Sequence, residues 1–231
     1  MPQARRLTRP DAVLYGEEVG AGPTFLLLHA GGERRRVWTP VGAALADAGF
    51  RCVAYDQRGH GESGGDALTL AACADDVAAM LSAEPPGCVV VGSSLGGLAA
   101  VAALADAAVR ARVSGLVLVD VVPCLEPVRV RRFLAAGGLN GAYAELVDDI
   151  LANVPRLRRI TAELDMPLLL VRGDNGSSVT DEDRDRLLSL APATTVRTVH
   201  GAGHLIARER PAALAQAITA ATAAWPPPRH A

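Results

Sequence analysis

A chain of 231 residues can bury one sizeable core, and nothing in it calls for a second unit, so it reads as a single domain spanning 1–231. Half of the residues are apolar but only 3% are aromatic, which leaves Ala, Val and Leu as the core material. The 23 basic side chains nearly balance the 25 acidic ones, for a net charge of −2. That balance removes the electrostatic case for nucleic acid or an anionic membrane and points to a small-molecule substrate, with a homodimer left open.

In chain order, Ala12–Gly20 and Thr24–His29 are expected to be strands paired with each other through the "GAGP" turn. A helix over about Trp38–Ala48 leads to a strand at Phe50–Tyr55, and one over about Leu68–Ala83 leads to a strand at Cys88–Gly92. The rhythm continues with a helix over Leu95–Ala108 and a strand at Val113–Asp120. A longer irregular and helical section follows, then a strand at Pro167–Arg172, a helix near Glu182–Leu190, a strand at Thr194–Val199 and a last helix from Pro211 to Trp225. Runs such as "CVVV" and "LVLV" are apolar throughout, as strands buried on both faces must be. The fold class expected is therefore α/β, with a mostly parallel, doubly wound sheet whose strand ends gather the polar groups. A tail from about 226 is expected to fray.

Cys52, Cys73, Cys88 and Cys124 lack metal or redox spacing and read as reduced core residues. No run has the length of a membrane span, and "MPQARRLTRPD" has no apolar stretch behind its positive charge. A cytoplasmic location is the expectation.

The chemistry concentrates in a few motifs. "VVVGSSLGGLAAVAAL" sets Gly92-Ser93-Ser94-Leu95-Gly96 between a buried strand and an Ala-rich helix, the context that gives a G-x-S-x-G elbow its meaning. Ser94 is the expected nucleophile, standing at a helix N-terminus where N–H groups favour developing negative charge. A serine hydroxyl needs a nearby base, and "VHGAGHLIARERP" offers His204 in the loop before the last helix. His200, closer to the strand end, reads as structural. "LLLHAGGE" places a glycine pair after a buried strand, so the N–H groups of Gly31 and Leu95 are the expected oxyanion donors, with His29 bracing the loop.

Together "LLLHAGGE", "YDQRGHGES", "GSSLGG" and "GAGH" resemble the α/β-hydrolase superfamily, in its esterase, lactonase and haloperoxidase-like branch, over nearly the whole chain. The resemblance implies a serine hydrolase of an ester or lactone, an acyl-enzyme, and a loop at Asp56, Arg58 and His60 that mainly shapes the site. It also exposes a gap. Laid beside the family's usual loop after strand seven, "VRGDNGSSVT" puts Ser177, or else Gly176, where the catalytic acid ordinarily falls. Two substitutes remain: Asp120, ending the strand "GLVLVD" as in some members of the superfamily, is preferred, and Asp174 is the alternative acid.

Between about 121 and 166 the chain is expected to leave the sheet as a short helical cap. "EPVRVRRFLAAGG" and "LVDDILANVPRLRRI" read as amphipathic helices, offering Val128, Phe133, Leu134, Leu146, Ile150 and Leu151 to an apolar pocket. Arg129, Arg131, Arg132, Arg156, Arg158 and Arg159 read as a solvated face paired with Asp148 and Asp149, or else as an anion site. No cofactor and no metal are expected. The competing readings are a cyclase or lyase on the same scaffold and a catalytically silent binding protein.

Overall fold

A computed structural model describes residues 2–137, 141 and 143–225; the tail expected to fray from 226 lies outside the described residues. The strands are β1 (Gln3–Thr8), β2 (Val13–Gly20), β3 (Thr24–Leu28), β4 (Arg51–Tyr55), β5 (Cys88–Ser93), β6 (Val113–Val119), β7 (Leu168–Gly173) and β8 (Thr195–Val199). They form one sheet in the order β1-β2-β4-β3-β5-β6-β7-β8, parallel from β4 to β8, with β1 and β2 antiparallel at one edge. This is the mostly parallel α/β sheet expected.

The period-two alternation of strand side chains divides the core between two faces. Leu26, Leu28, Val90, Leu116, Leu118, Leu168 and Leu170 face one side. Their neighbours Phe25, Leu27, Val91, Val117, Val119, Leu169 and Val171 face the other. The first face is covered by α2 (Leu70–Ser82) and α3 (Leu95–Ala103), the second by α1 (Thr39–Asp47) and α10 (Pro211–Thr222). Strands sandwiched in this way have no polar face, which is why their sequences are apolar throughout. All four cysteines are free and buried in these layers, and burial pushes the Cys52 and Cys73 thiols up to about 12.

Three expectations about the strands and helices need correction. β2 does not pair with β3, because β4 lies between them. β4 is buried along almost its whole length, whereas β2 alternates with partly exposed residues, so β4 takes the interior slot. β1 has no counterpart in the sequence reading: QARRLT is polar and half-exposed, and it is held by pairing with β2 and by Arg5, which bonds Glu84 at 2.8 Å. The single helix expected over Leu95–Ala108 ends at Ala103, and α4 (Ala107–Arg110) begins anew where the Asp106 carboxylate caps the Ala108 N–H at 2.7 Å.

The section between β6 and β7 folds as α5 (Pro127–Ala136), α6 (Ala144–Ala152) and α7 (Val154–Ala162). The second amphipathic stretch is thus two helices, not one. They divide at Asn153, just before Pro155, whose missing N–H suits the first turn of a new helix. Leu146 and Ile150 of α6 and Leu157 and Ile160 of α7 join the main core, and of the first two only Leu146 also reaches a pocket, a small one beside Ala67, Leu68 and Tyr143. Asp149 accepts from the Leu70 N–H at 2.7 Å and ties α6 to the start of α2. α5 differs, since none of its residues is buried and Val128 is 73% exposed, pointing to solvent. Two of its contacts are ionic: Arg129 bonds Asp183 at 2.5 Å, and Arg131 bonds Asp148 at 2.6 Å. Arg132, Arg156, Arg158 and Arg159 are exposed.

Among the described residues no helix is long and apolar enough to cross a membrane, and no cluster of His, Cys, Asp or Glu has a metal-holding arrangement.

Candidate active site

Ser94 stands between β5 and α3 at φ 48° and ψ −115°, a left-handed conformation that a side chain rarely adopts. Two glycines permit the turn. A Cβ on Gly92 would come within 2.5 Å of Gly97 backbone, and one on Gly96 within 2.5 Å of the Leu28 carbonyl oxygen. The sharp turn leaves Ser94 partly exposed at the strand end, while Ser93 and Leu95 are buried.

Leu95 opens α3, so its N–H belongs to the first turn, whose donors lack an intrahelical acceptor. Gly31 lies beside it: a Cβ added at Gly31 would be 3.9 Å from the Leu95 Cβ. The two N–H bearing residues named from sequence therefore flank the Ser94 elbow together. The Gly31 loop is held from beneath by His29, which is completely buried. His29 Nε2 accepts from the Gln57 N–H at 2.9 Å, so Nδ1 carries the proton and donates to the Ala30 carbonyl at 2.8 Å. Burial pushes this imidazole down to about 4, which keeps it neutral.

β5 and β6 are parallel neighbours with Ser93 opposite Val119, so the next residues, Ser94 and Asp120, emerge side by side. Asp120 has a φ of 49° and no solvent exposure. Its Oδ1 accepts from the Gly173 N–H at 3.1 Å and from the Ser177 hydroxyl. Its Oδ2 accepts from the Ser178 N–H at 2.8 Å and lies 2.9 Å from His204 Nδ1. Both oxygens already accept from N–H groups, so the imidazole donates through Nδ1 and keeps a lone pair on Nε2. His204 sits in the loop between β8 and α9 (Ile206–Glu209), with its side chain 16% exposed. The Phe133 ring of α5 meets it edge-on at 4.8 Å between centroids.

The structure thus brings together Ser94, Asp120, His204, Gly31 and Leu95, and leaves out Asp174. Asp174 Oδ2 contacts His200 Nδ1 at 2.7 Å and Oδ1 accepts from the Gly201 N–H at 2.7 Å, both at the surface. The alternative acid is committed to the other histidine, which, with the Gly201 N–H, holds its carboxyl below the ordinary aspartate value. The start of the loop is tied to the backbone beside His204, since a Cβ on Gly173 would fall 2.2 Å from the Ala202 carbonyl, which accepts from the Asn175 N–H at 2.9 Å. Asp56, Arg58 and His60 serve the scaffold: Arg58 grips Asp76 through two bonds of 2.8 and 2.9 Å, and His60 Nδ1 donates to the Arg58 carbonyl at 2.8 Å.

Sequence reasoning missed the roles of three residues. The Ser177 and Ser178 side chains bond to Asp120; the sequence marks Ser177 only as the position where the usual acid is absent, and Ser178 only as its neighbour. Glu33, in the Gly31 loop, is buried and pairs with Arg208 of α9 at 3.3 Å. Burial pushes its carboxyl up against the opposing charges of Arg208 and His204.

Comparison with known proteins places the fold. A family model described as the alpha/beta hydrolase fold matches residues 23–148, more than half of the chain. The 2-(acetamidomethylene)succinate hydrolase of Mesorhizobium japonicum is 26% identical over 94% of this chain and 94% of its own length. The crystal structure of E-2-(acetamidomethylene)succinate hydrolase superposes with a TM-score of 0.80 at 24% identity, covering 97% of this chain and all of that one, a likeness of fold. Mouse protein phosphatase methylesterase 1 is 38% identical over 109 residues, 44% of this chain, and the chain spans 28% of its length. From the strand order, the Ser94 elbow and the family model together, the chain belongs to the alpha/beta hydrolase fold family.

Proposed function

We propose that the protein is a cofactor-independent serine hydrolase that cleaves an ester, lactone or related acyl bond of a small, largely apolar molecule through an acyl-enzyme. The observation that carries the reading is the buried His204–Asp120 pair at the strand end next to the Ser94 elbow. In this reading Ser94 Oγ attacks the carbonyl carbon while His204 Nε2 takes the hydroxyl proton, and Asp120 holds the Nδ1–H and steadies the imidazolium. The carbonyl oxygen becomes an oxyanion that accepts from the Gly31 and Leu95 N–H groups. Collapse breaks the bond to the leaving group, which departs with the His204 proton. Water, deprotonated by His204, then attacks the acyl carbon, and the serine leaves with that proton restored.

The relatives named above act, by their names, on a methyl ester and on an acetamido compound. They support acyl-bond hydrolysis as the reaction class and widen the candidates from esters to amides. Phe133 against the His204 ring gives the leaving-group side an apolar wall, which favours an uncharged substituent there.

The test is labelling by a fluorophosphonate probe, which reacts only with an activated serine. Wild type is expected to label rapidly, Ser94→Ala not at all, and His204→Ala very slowly, with circular dichroism confirming that each variant is folded. Unlabelled wild-type protein would sink the reading and leave a cyclase, a lyase or a silent binding protein.

A further inference from the structure

We propose that Ser177 and Ser178 are positioning residues, whose hydroxyls hold the Asp120 carboxylate in register with His204. The inference rests on the hydrolase reading for its kinetic arm. Asp120 is wholly buried, and among the described residues its only ion-pair contact is His204. A carboxylate removed from water needs its lone pairs filled, and here donors rather than cations fill them.

Each donor has a separate task. The Gly173 and Ser178 N–H groups fill one site on each oxygen and are properties of the backbone. The Ser177 hydroxyl donates to Oδ1, the oxygen turned away from His204, while its own oxygen accepts from the Val179 N–H at 3.0 Å. That second bond occupies the hydroxyl oxygen, and of the two acceptors in reach of its single proton, the Val179 carbonyl at 3.2 Å and the nearer, charged Oδ1, the carboxylate is the stronger. Ser178 Oγ is 2.8 Å from the Asp120 carbonyl oxygen and 3.1 Å from Oδ2, so it ties the acid's main chain, already at positive φ, to the same loop. A carboxylate bonded at Oδ1 cannot turn about its Cβ–Cγ bond without breaking the Ser177 contact. Oδ2 is therefore kept facing the imidazole. Such outer bonds matter for chemistry because a small rotation of the acid releases the histidine tautomer that it selects.

The loop is built for this rigidity. Val179, which follows the pair, is buried, and Thr180 then caps α8 (Asp181–Leu190) in a reciprocal box with Asp183. Arg172 and Asp181 close the loop's two ends with a bond of 2.6 Å. Two consecutive hydroxyls are thus presented to the acid from a turn anchored on both sides.

The experiment uses the full chain as wild type, Ser177→Ala, Ser178→Ala, Ser177→Thr and Ser94→Ala. It measures fluorophosphonate labelling, kcat and KM for 4-nitrophenyl acetate, and the His204 tautomer by long-range ¹H–¹⁵N NMR. Loss of one hydrogen bond to a charged group predicts a roughly 10- to 30-fold lower kcat for Ser177→Ala with KM within about twofold. Ser178→Ala keeps its N–H and is expected to lose less, on the order of threefold to tenfold. Ser177→Thr retains the hydroxyl and restores the wild-type rate. In both alanine variants the His204 tautomer shifts from Nδ1–H toward Nε2–H, which a purely structural loss would not produce in folded protein. Wild-type rates and an unchanged tautomer in both alanine variants would overturn the proposal while leaving the hydrolase reading intact. Absence of Ser94-dependent labelling would overturn the hydrolase reading instead, and the tautomer measurement would then decide the positioning role alone.

Discussion

Two histidine–aspartate pairs lie within a few residues of each other and differ in almost nothing but their surroundings. His200–Asp174 and His204–Asp120 have Nδ1 to oxygen distances of 2.7 and 2.9 Å. The first is at the surface, with the histidine side chain 87% exposed and the aspartate 38% exposed. The second has a completely buried aspartate whose remaining lone pairs are occupied by the loop after β7. Water competes for every bond of the first pair and for none of the acid's bonds in the second. A contact distance alone would rank the pairs the wrong way round; burial and the filled lone pairs separate an orienting device from a surface contact.

The largest effect that could break this comparison is catalytic. Asp120→Asn is expected to lower kcat by about 10⁴, the scale known when a serine-protease triad loses its acid, while Asp174→Asn leaves kcat within about twofold. Steady-state kinetics on an activated ester reads both, and a larger loss in Asp174→Asn than in Asp120→Asn would reverse the assignment. Next comes stability. Asp120→Ala strands the buried Gly173 N–H and the half-buried Ser178 N–H and is expected to destabilise by about 3 kcal/mol in urea unfolding. Asp174→Ala should show no measurable change in midpoint.

A third histidine sharpens the point, because His29 is buried with no carboxylate partner. Its folded value of about 4 lies below the ordinary histidine value of 6.5, so the unfolded chain takes up a proton that the folded one refuses. The resulting stability is fully present above pH 6.5 and is lost as the pH falls through about 4, amounting to about 3 kcal/mol. Urea midpoints measured across this window should fall less steeply in His29→Asn than in wild type. An identical pH slope would show that His29 is not the group responsible. The smallest expected effect belongs to the exposed pair: His200→Ala should let the Asp174 carboxyl rise toward its ordinary value, as followed by ¹³C NMR.

Much of this was legible before the structure, for identifiable reasons. "CVVV" and "LVLV" announce doubly covered strands because no polar residue tolerates that position, and the Ser94 turn announces itself through glycines that backbone approach requires. Asp120 was legible because an acid ending an apolar strand must find donors. What escaped were features set by three-dimensional neighbours. The polar β1 is a strand only because β2 offers it an edge, and the slot of β4 depends on burial that no local pattern states. Phe133 meets the His204 ring, whereas Val128, five positions earlier on the same helix and named with it from the sequence, turned to water. α5 lies against the body on a narrow stripe, and amphipathic spacing does not say how wide that stripe is.

That narrow seat has a consequence for how α5 answers to salt. α6 and α7 are fastened to the body by apolar side chains, while α5, which carries Phe133 over the imidazole, is fastened by arginine–carboxylate contacts. Dissolved salt screens exposed ion pairs but leaves apolar packing intact or strengthens it. Raising the ionic strength is therefore expected to weaken the exposed Arg131–Asp148 contact of α5 more than its contact with the buried Asp183, and to leave the apolar seats of α6 and α7 unchanged.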